Sequence, residues 1–290
     1  MKQLGGKVAI ITGANQGLGL QIANHYINNG ANIAICARNK SKLINVKKTL
    51  EKNTSNDQKI FASKCDVSNN EEVNKFINQA NVELGSIDIL VNNAGVYGPK
   101  GKIENINWLE WVKAIEINLF GSILMTRAVL PFYKKKHKGK IIQLSGGGAT
   151  NPLPNISAYA ASKAAIVRYV ETLAEEVREF NIDVNAVAPG ALNTQMLDEI
   201  IQAGPEKVGS SFYDKSLKQK ETGGAPLTVS ADLIVFLGSD ESNGITGKLI
   251  SAMWDNWHEW PNHLDELNKS DVYSLRRITG RDRAMDWGDR

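Results

Sequence analysis

A three-layer α/β fold with a doubly wound parallel sheet is the class this sequence predicts, and three observations predict it. Apolar runs of strand length alternate with amphipathic stretches of helix length. The runs are apolar on both faces, as strands covered by helices on both sides must be. A glycine-rich turn joins the first run to the first helix. At 290 residues the chain fits one such domain, and 42% hydrophobic against 22% charged residues suffices for a large core.

The elements follow in order. Lys7–Thr12 is a strand and Leu18–Asn29 a helix. Asn32–Cys36 is a strand and Lys40–Lys52 a helix. Lys59–Cys65 is a strand and Glu71–Leu84 a helix. Ile87–Val91 is a strand, followed by a loop and a long helical stretch to about Tyr133. Lys140–Leu144, Ala158–Phe180 and Asp183–Ala188 repeat the strand, helix, strand rhythm. Right-handed crossovers between such strands produce a Rossmann-type sheet. After Pro189 the pattern loosens. Residues 195–226 carry glycines at 204, 209, 223 and 224 and are expected to form a short helix and then a mobile substrate loop. Leu227–Leu237 is helical and Lys248–Ser251 is a last strand. The domain is expected to span residues 1–254, with an aromatic-rich extension over 255–290.

Composition excludes several functions. A formal net charge of +3 is too small for a nucleic-acid binder. The densest basic cluster, Lys134 to Lys138, suits the C-terminal end of a helix, where cations oppose the dipole. Cys36 and Cys65 sit in apolar runs and read as small core residues. The four histidines have no ligand spacing, so no metal site is expected. Met1 to Gly6 lacks an apolar signal core, and no run of about 18 apolar residues exists, which leads to the expectation of a soluble, cytoplasmic protein with no membrane partner.

The first turn reads Thr12-Gly13-Ala14-Asn15-Gln16-Gly17-Leu18-Gly19. Gly13 permits a tight turn, Gly17 lets backbone approach a diphosphate, and Gly19 lets the helix pack on the strand. The helix N-terminus supplies amide donors. With a strand before it and a helix after it, this is a dinucleotide loop. The choice of dinucleotide follows from charge. A carboxylate at the end of the second strand would bind the ribose 2′-hydroxyl of NAD, but Met1–Leu50 contains no acidic residue. Arg38 stands there instead, with Lys40 and Lys42 behind it, and a guanidinium can grip a 2′-phosphate. NADP is therefore expected over NAD.

Tyr159 and Lys163 lie four residues apart, on one face of a helix. A phenol is a poor acid–base at neutral pH, and an ammonium beside it would lower its pKa. Together these motifs resemble the short-chain dehydrogenase/reductase family from about Lys7 to Ile250. The resemblance is carried by Thr12 to Gly19, Cys65-Asp66-Val67, Asn92-Asn93-Ala94-Gly95, Asn118, Tyr159-x-x-x-Lys163, Pro189-Gly190 and Ile245-Thr-Gly247. It implies that Tyr159 is the acid/base in carbonyl and alcohol interconversion. It implies that Lys163 binds the nicotinamide ribose and that Asn118 holds a water in a proton relay. Asp66 and Val67 would meet the adenine, Asn92 to Gly95 would line the cofactor, and Pro189, Gly190 and Thr194 would hold the carboxamide. A homodimer or homotetramer is implied too.

One position departs from the family. Its serine, thirteen residues before the tyrosine, is Gly146 here, within Ser145-Gly146-Gly147-Gly148. Three readings stay open. The loop bends so that Ser145 serves; another group such as Thr150, Asn151, Ser157 or a substrate hydroxyl replaces it; or the site is weak. The glycines would also free space for a bulkier substrate. Two further functions remain beside the reductase: a cofactor-binding regulator, and a dehydratase or epimerase using the same pair. Trp254, Trp257 and Trp260 are spaced to share a helical face. They read as packing on the chain's own core or a subunit interface, or as an aromatic wall for a polar, carbohydrate-like substrate.

Overall fold

The computed structural model describes residues 2–287. Seven parallel strands form one sheet: β1 (Val8–Thr12), β2 (Asn32–Ala37), β3 (Ile60–Lys64), β4 (Ile89–Asn92), β5 (Gly139–Leu144), β6 (Ile182–Ala188) and β7 (Leu249–Ser251). Their order is β3-β2-β1-β4-β5-β6-β7. The order reverses between β1 and β4, and the two chains diverging there open a crevice at the strands' C-terminal ends. Every residue of β1, β4 and β5 is buried, which explains why these runs are apolar on both faces.

Two apolar layers sandwich the sheet. One contains α1 (Gly17–Asn28), α2 (Lys40–Leu50) and, later in the chain, the helix at Leu227–Gly238. The other contains α3 (Asn70–Leu84), α4 (Trp108–Ile115), α5 (Gly121–Lys136) and α6 (Ser157–Glu176). Local chemistry sets the helix ends. Asn39 accepts from the Lys42 amide to start α2, and Asn69 accepts from the Glu71 and Glu72 amides to start α3. Gly85, at φ 78°, ends α3. A π-helical turn, Glu116–Phe120, joins α4 to α5 and carries Asn118. The continuous helix Trp108–Lys136 is long and apolar enough to cross a membrane by length and composition, although no uninterrupted apolar run marks it. It packs against α3, α6 and the sheet as a layer helix.

Residues 195–226 correct the expectation of a mobile loop. They form α7 (Gln195–Ala203), α8 (Pro205–Val208) and α9 (Ser210–Thr222). The glycines that suggested a loop are the joints: Gly204, Gly209 and Gly223 have φ of 77°, 84° and 84°. The helix Leu227–Gly238, α10, follows, and α11 (Leu264–Lys269) lies in the extension.

The extension belongs to the same core. Trp257 and Trp260 are each 5% exposed, in the cluster that contains Ile33, Val187 and Phe236. Trp257 lies 5.2 Å from the Phe236 ring and Trp260 lies 4.4 Å from that of Tyr273. Trp254 is 87% exposed, because it lies in the turn after β7, ahead of the 3-10 segment at residues 257–263, and shares no helix with the other two. The aromatic wall for a carbohydrate-like substrate is therefore not built: two of its three tryptophans fill the chain's own core. Cys36 and Cys65 are buried free thiols.

Candidate active site

The crevice at the sheet's C-terminal edge is a cleft of about 830 Å³. It is lined by Gly13, Asn15, Gln16, Gly17, Leu18 and Gly19 from the first turn. Arg38, Asp66, Val67, Asn93, Ala94, Gly95, Ser145, Tyr159, Lys163, Pro189 and Thr194 complete the expected set. Of the residues expected in the site, Asn92, Asn118 and Gly190 do not line the cleft; Asn92 is buried behind it, its Nδ2 donating to the Ser122 carbonyl at 3.2 Å.

Close approach explains the glycines of the first turn. A side chain on Gly19 would place its Cβ 2.4 Å from the Gly13 carbonyl and 2.5 Å from Asn93 Nδ2. Gly13, at φ 64°, would meet Ala94 Cα at 3.0 Å. Thr12 Oγ1 accepts from the Asn93 and Ala94 amides, both at 3.0 Å, and Asn93 Nδ2 donates to the Thr12 carbonyl at 2.9 Å. These bonds fasten the turn after β1 to the turn after β4. No side chain caps α1, and its first turn carries no acid, so its N-terminal amides and dipole face the cleft. That cradle fits a dinucleotide diphosphate.

Arg38 is exposed at the mouth beside Asn39 and Lys42, both of which line the cleft. Lys42 Nζ donates to Gln16 Oε1, which ties the second helix to the glycine turn. Asp66 accepts from the Ser68 amide at 3.0 Å and the Ser68 hydroxyl at 2.7 Å. Burial pushes its pKa up, but those bonds, with Lys113 and Arg38 nearby, outweigh burial and hold it below the usual carboxylate range. A charged acceptor there fits an adenine amino group.

At the other end of the cleft, Tyr159 and Lys163 stand one turn apart on α6. Lys163 is 5% exposed, and its Nζ donates to the Leu144 carbonyl at 2.6 Å, 5.5 Å from the centre of the Tyr159 ring. The expectation of a phenol acidified by its ammonium is corrected here. Burial, with a smaller contribution from Tyr97, pushes the Tyr159 pKa up, while burial lowers that of Lys163 to about 8. Desolvation dominates, so the Tyr159 phenol stays protonated through the neutral range.

Asn118 lies behind this pair, on the π-helical turn. Its Oδ1 accepts from the Val96 amide at 2.8 Å, and its Nδ2 donates to the Val96 carbonyl at 2.9 Å and to Ser162 Oγ at 3.0 Å. The side chain clamps the loop after β4 onto α6. Its side-chain amide is thus engaged by protein partners, which leaves the backbone of Asn118 as the part that could meet a relay water. Gly190, at φ 91°, faces Met253 and Ala225, while Pro189 alone of that pair borders the cleft.

In the glycine run after β5, Gly147 faces open space, but Gly146 and Gly148 do not. A Cβ on Gly146 would lie 2.4 Å from Tyr159 Oη, and one on Gly148 would lie 2.6 Å from Ala160 Cα. The first turn of α6 fills the volume that side chains at these two positions would take. Ser145 borders the cleft, but its Oγ points to the Lys163 carbonyl at 3.4 Å. Tyr97, in the loop after β4, is the neighbour that sequence reasoning missed: its ring centre lies 4.8 Å from that of Tyr159. Nothing in the local sequence marks it.

A nucleotide cleft ending in a half-buried tyrosine and a buried lysine fits an oxidoreductase of hydroxyl and carbonyl groups. The short chain dehydrogenase family profile matches residues 7–204, and the chain belongs to that family. The 7alpha-hydroxysteroid dehydrogenase of Escherichia coli (strain K12) is 31% identical over 250 residues, covering 86% of this chain and 94% of the relative. The diacetyl reductase [(S)-acetoin forming] of Staphylococcus epidermidis is 33% identical over 250 residues, covering 84% and 96%. A solved 7 alpha-hydroxysteroid dehydrogenase complexed with NADH and 7-oxo glycochenodeoxycholic acid superposes with a TM-score of 0.76 at 30% identity, over 86% of this chain and 93% of the other.

Proposed function

We propose that this protein is an NADP(H)-dependent reductase that converts a bulky, largely apolar ketone to a secondary alcohol and runs the reverse reaction as an alcohol dehydrogenase. The observation that carries the reading is Tyr159, a neutral phenol bordering the cleft one turn from a buried Lys163. Arg38, Lys42 and the absence of acid up to Leu50 support NADP over NAD. The substrate end is supported by the apolar cluster that packs around Tyr159. Ile156, Ile200 and Val208 are buried there, with Tyr97, Leu153 and Phe212 against them. This packed cluster lies behind Tyr159 and gives the substrate end an apolar backing, which suits a ketone flanked by hydrocarbon.

When bound, the nicotinamide supplies or accepts a hydride. The chain's own part is positioning and proton transfer. Tyr159 Oη donates its proton to the carbonyl oxygen as charge develops on it, and takes it back in the reverse direction. Lys163 would hold the ribose hydroxyls, and its pKa of about 8 lets it return a proton to the phenolate near neutral pH. Gly13, Gly17 and the start of α1 would hold the diphosphate, and Asp66 the adenine. Exposed Trp108, Leu109 and Phe120, on and beside the helix layer, support a homodimer or homotetramer.

The test is Tyr159→Phe assayed with NADPH against cyclic and linear ketones. Turnover should fall by about 10²–10⁴-fold while NADPH affinity stays that of the wild type. A phenylalanine variant as active as the parent ends the proposal.

A further inference from the structure

We infer that Tyr97 is the second hydrogen-bond donor to the substrate carbonyl, in the place of the side chain that Gly146 lacks. The inference rests on the ketone reduction proposed above.

A carbonyl oxygen gaining charge has two lone pairs, and one donor leaves the other pair unserved. Tyr159 supplies one donor. Gly146, under the Tyr159 hydroxyl, supplies none, and a Cβ there would lie 2.4 Å from Tyr159 Oη, so a side chain at this position would require the tyrosine to shift. Of the other candidates, Ser145 has its hydroxyl engaged, while Ser157 and Thr150 accept hydrogen bonds that leave their own protons free, so the choice of Tyr97 over them rests on its contact with the Tyr159 ring. Ser145 is 3% exposed and directed at the Lys163 carbonyl. Ser157 Oγ accepts from Trp111 Nε1 at 3.0 Å. Thr150 and Asn151 are exposed and bonded to each other at 3.2 Å.

The Tyr97 ring packs on that of Tyr159 with centres 4.8 Å apart and planes inclined at 59°. Lys100 Nζ lies 5.6 Å from the centre of the Tyr97 ring and 3.5 Å from Glu199 Oε2, so the ring is held between α7 and α6. Among the described residues, neither the Tyr97 nor the Tyr159 hydroxyl has a hydrogen-bond partner from the protein. Two half-buried phenols packed ring to ring, each with a hydroxyl that no protein group occupies, can serve one oxygen, the Tyr97 hydroxyl reaching it from just outside the residues that line the cofactor cleft. Burial, with Glu199 nearby, pushes the Tyr97 pKa up to about 12, so it keeps its proton throughout the neutral range. It can donate but does not compete with Tyr159 for proton transfer.

The test compares the full-length wild type with Tyr97→Phe and Tyr159→Phe. Tyr97→Phe retains the ring and its packing and removes one hydroxyl. Its kcat should fall by about 10²–10³-fold, the usual effect of losing one positioned donor. NADPH affinity and Tm should be unchanged. Calorimetric binding of the ketone with NADP, a pair that cannot react, should weaken about tenfold. A kcat within threefold of wild type overturns the inference, and so does a loss explained by weaker NADPH binding or a lower Tm. Turnover abolished in Tyr159→Phe but untouched in Tyr97→Phe overturns this inference alone. A wild type that reduces no ketone takes down the parent reading with it.

Discussion

Arg38 is the side chain on which the proposed preference for NADP can be tested. It is exposed at the cleft mouth, so any contribution comes from contact with the ligand and not from folding. Charge-assisted hydrogen bonds from a guanidinium to a phosphate are worth about 1.5–3 kcal/mol. Arg38→Ser should therefore weaken NADPH binding about 10–100-fold and leave NADH binding and Tm as they were. Fluorescence titration of both nucleotides measures this, and equal weakening of the two would show that Arg38 does not read the 2′-phosphate. Asp66 is the contrasting case. Its charge is maintained by Ser68, Lys113 and Arg38, so loss of Arg38 leaves the adenine acceptor ionised through the Ser68 bonds. Gly146 teaches a different lesson: a glycine in place of a polar group can mean that another group has moved into its space, here the Tyr159 hydroxyl.

Among the elements, the extension is the one whose attachment can be tested most directly. Lys248 opens the last strand and is 6% exposed. Its Nζ donates to the carbonyls of Leu267 at 2.6 Å, Val272 at 3.1 Å and Ser270 at 3.3 Å, around the end of α11. The Leu249 amide donates to the Tyr273 carbonyl at 2.8 Å, so the extension also covers the free edge of β7. Lys248→Met leaves those carbonyls without their cation and should destabilise the protein by about 1.5–3 kcal/mol. Denaturant unfolding measures the change, and limited proteolysis should cut first within residues 267–275. A variant as stable as wild type would mean that Trp257 and Trp260 hold the extension unaided. None of this attachment was legible in the sequence, because it depends on which carbonyls meet one lysine in space. The sheet was legible, since strands buried on both faces must be apolar at every position. The helices of residues 195–226 were not: a glycine at positive φ has the same appearance in a sequence whether it joins two helices or lies in a loop. The cofactor half of the site was legible because backbone approach demands glycine at fixed spacing. Tyr97 was not, because its role comes from a ring contact between distant loops.

At the scale of the molecule, folding one sheet between two apolar layers forces a basic side chain into the interior at the catalytic end. Lys163 has an ordinary pKa of 10.5 in an unfolded chain and about 8 in the folded one, because burial disfavours its charge. Below pH 8 both states carry the proton, and the folded state bears the full penalty of a buried ammonium. Between about 8 and 10.5 the unfolded chain still binds the proton and the folded one has released it, so stability rises with pH across that window. The buried phenols act in the opposite sense further up. Burial raises Tyr26, Tyr133 and Tyr159, so unfolded tyrosines ionise first and stability falls above about pH 10. Lys163→Met removes the first effect and keeps the second. The stability of wild type relative to this variant should therefore improve by about 2 kcal/mol between pH 8 and pH 10, since one pKa unit corresponds to about 1.4 kcal/mol. Denaturant unfolding of both proteins across that range measures the difference. Curves that run parallel would show that Lys163 keeps its proton in the folded state well above pH 8, and with it the charge that the proton-return role requires it to release.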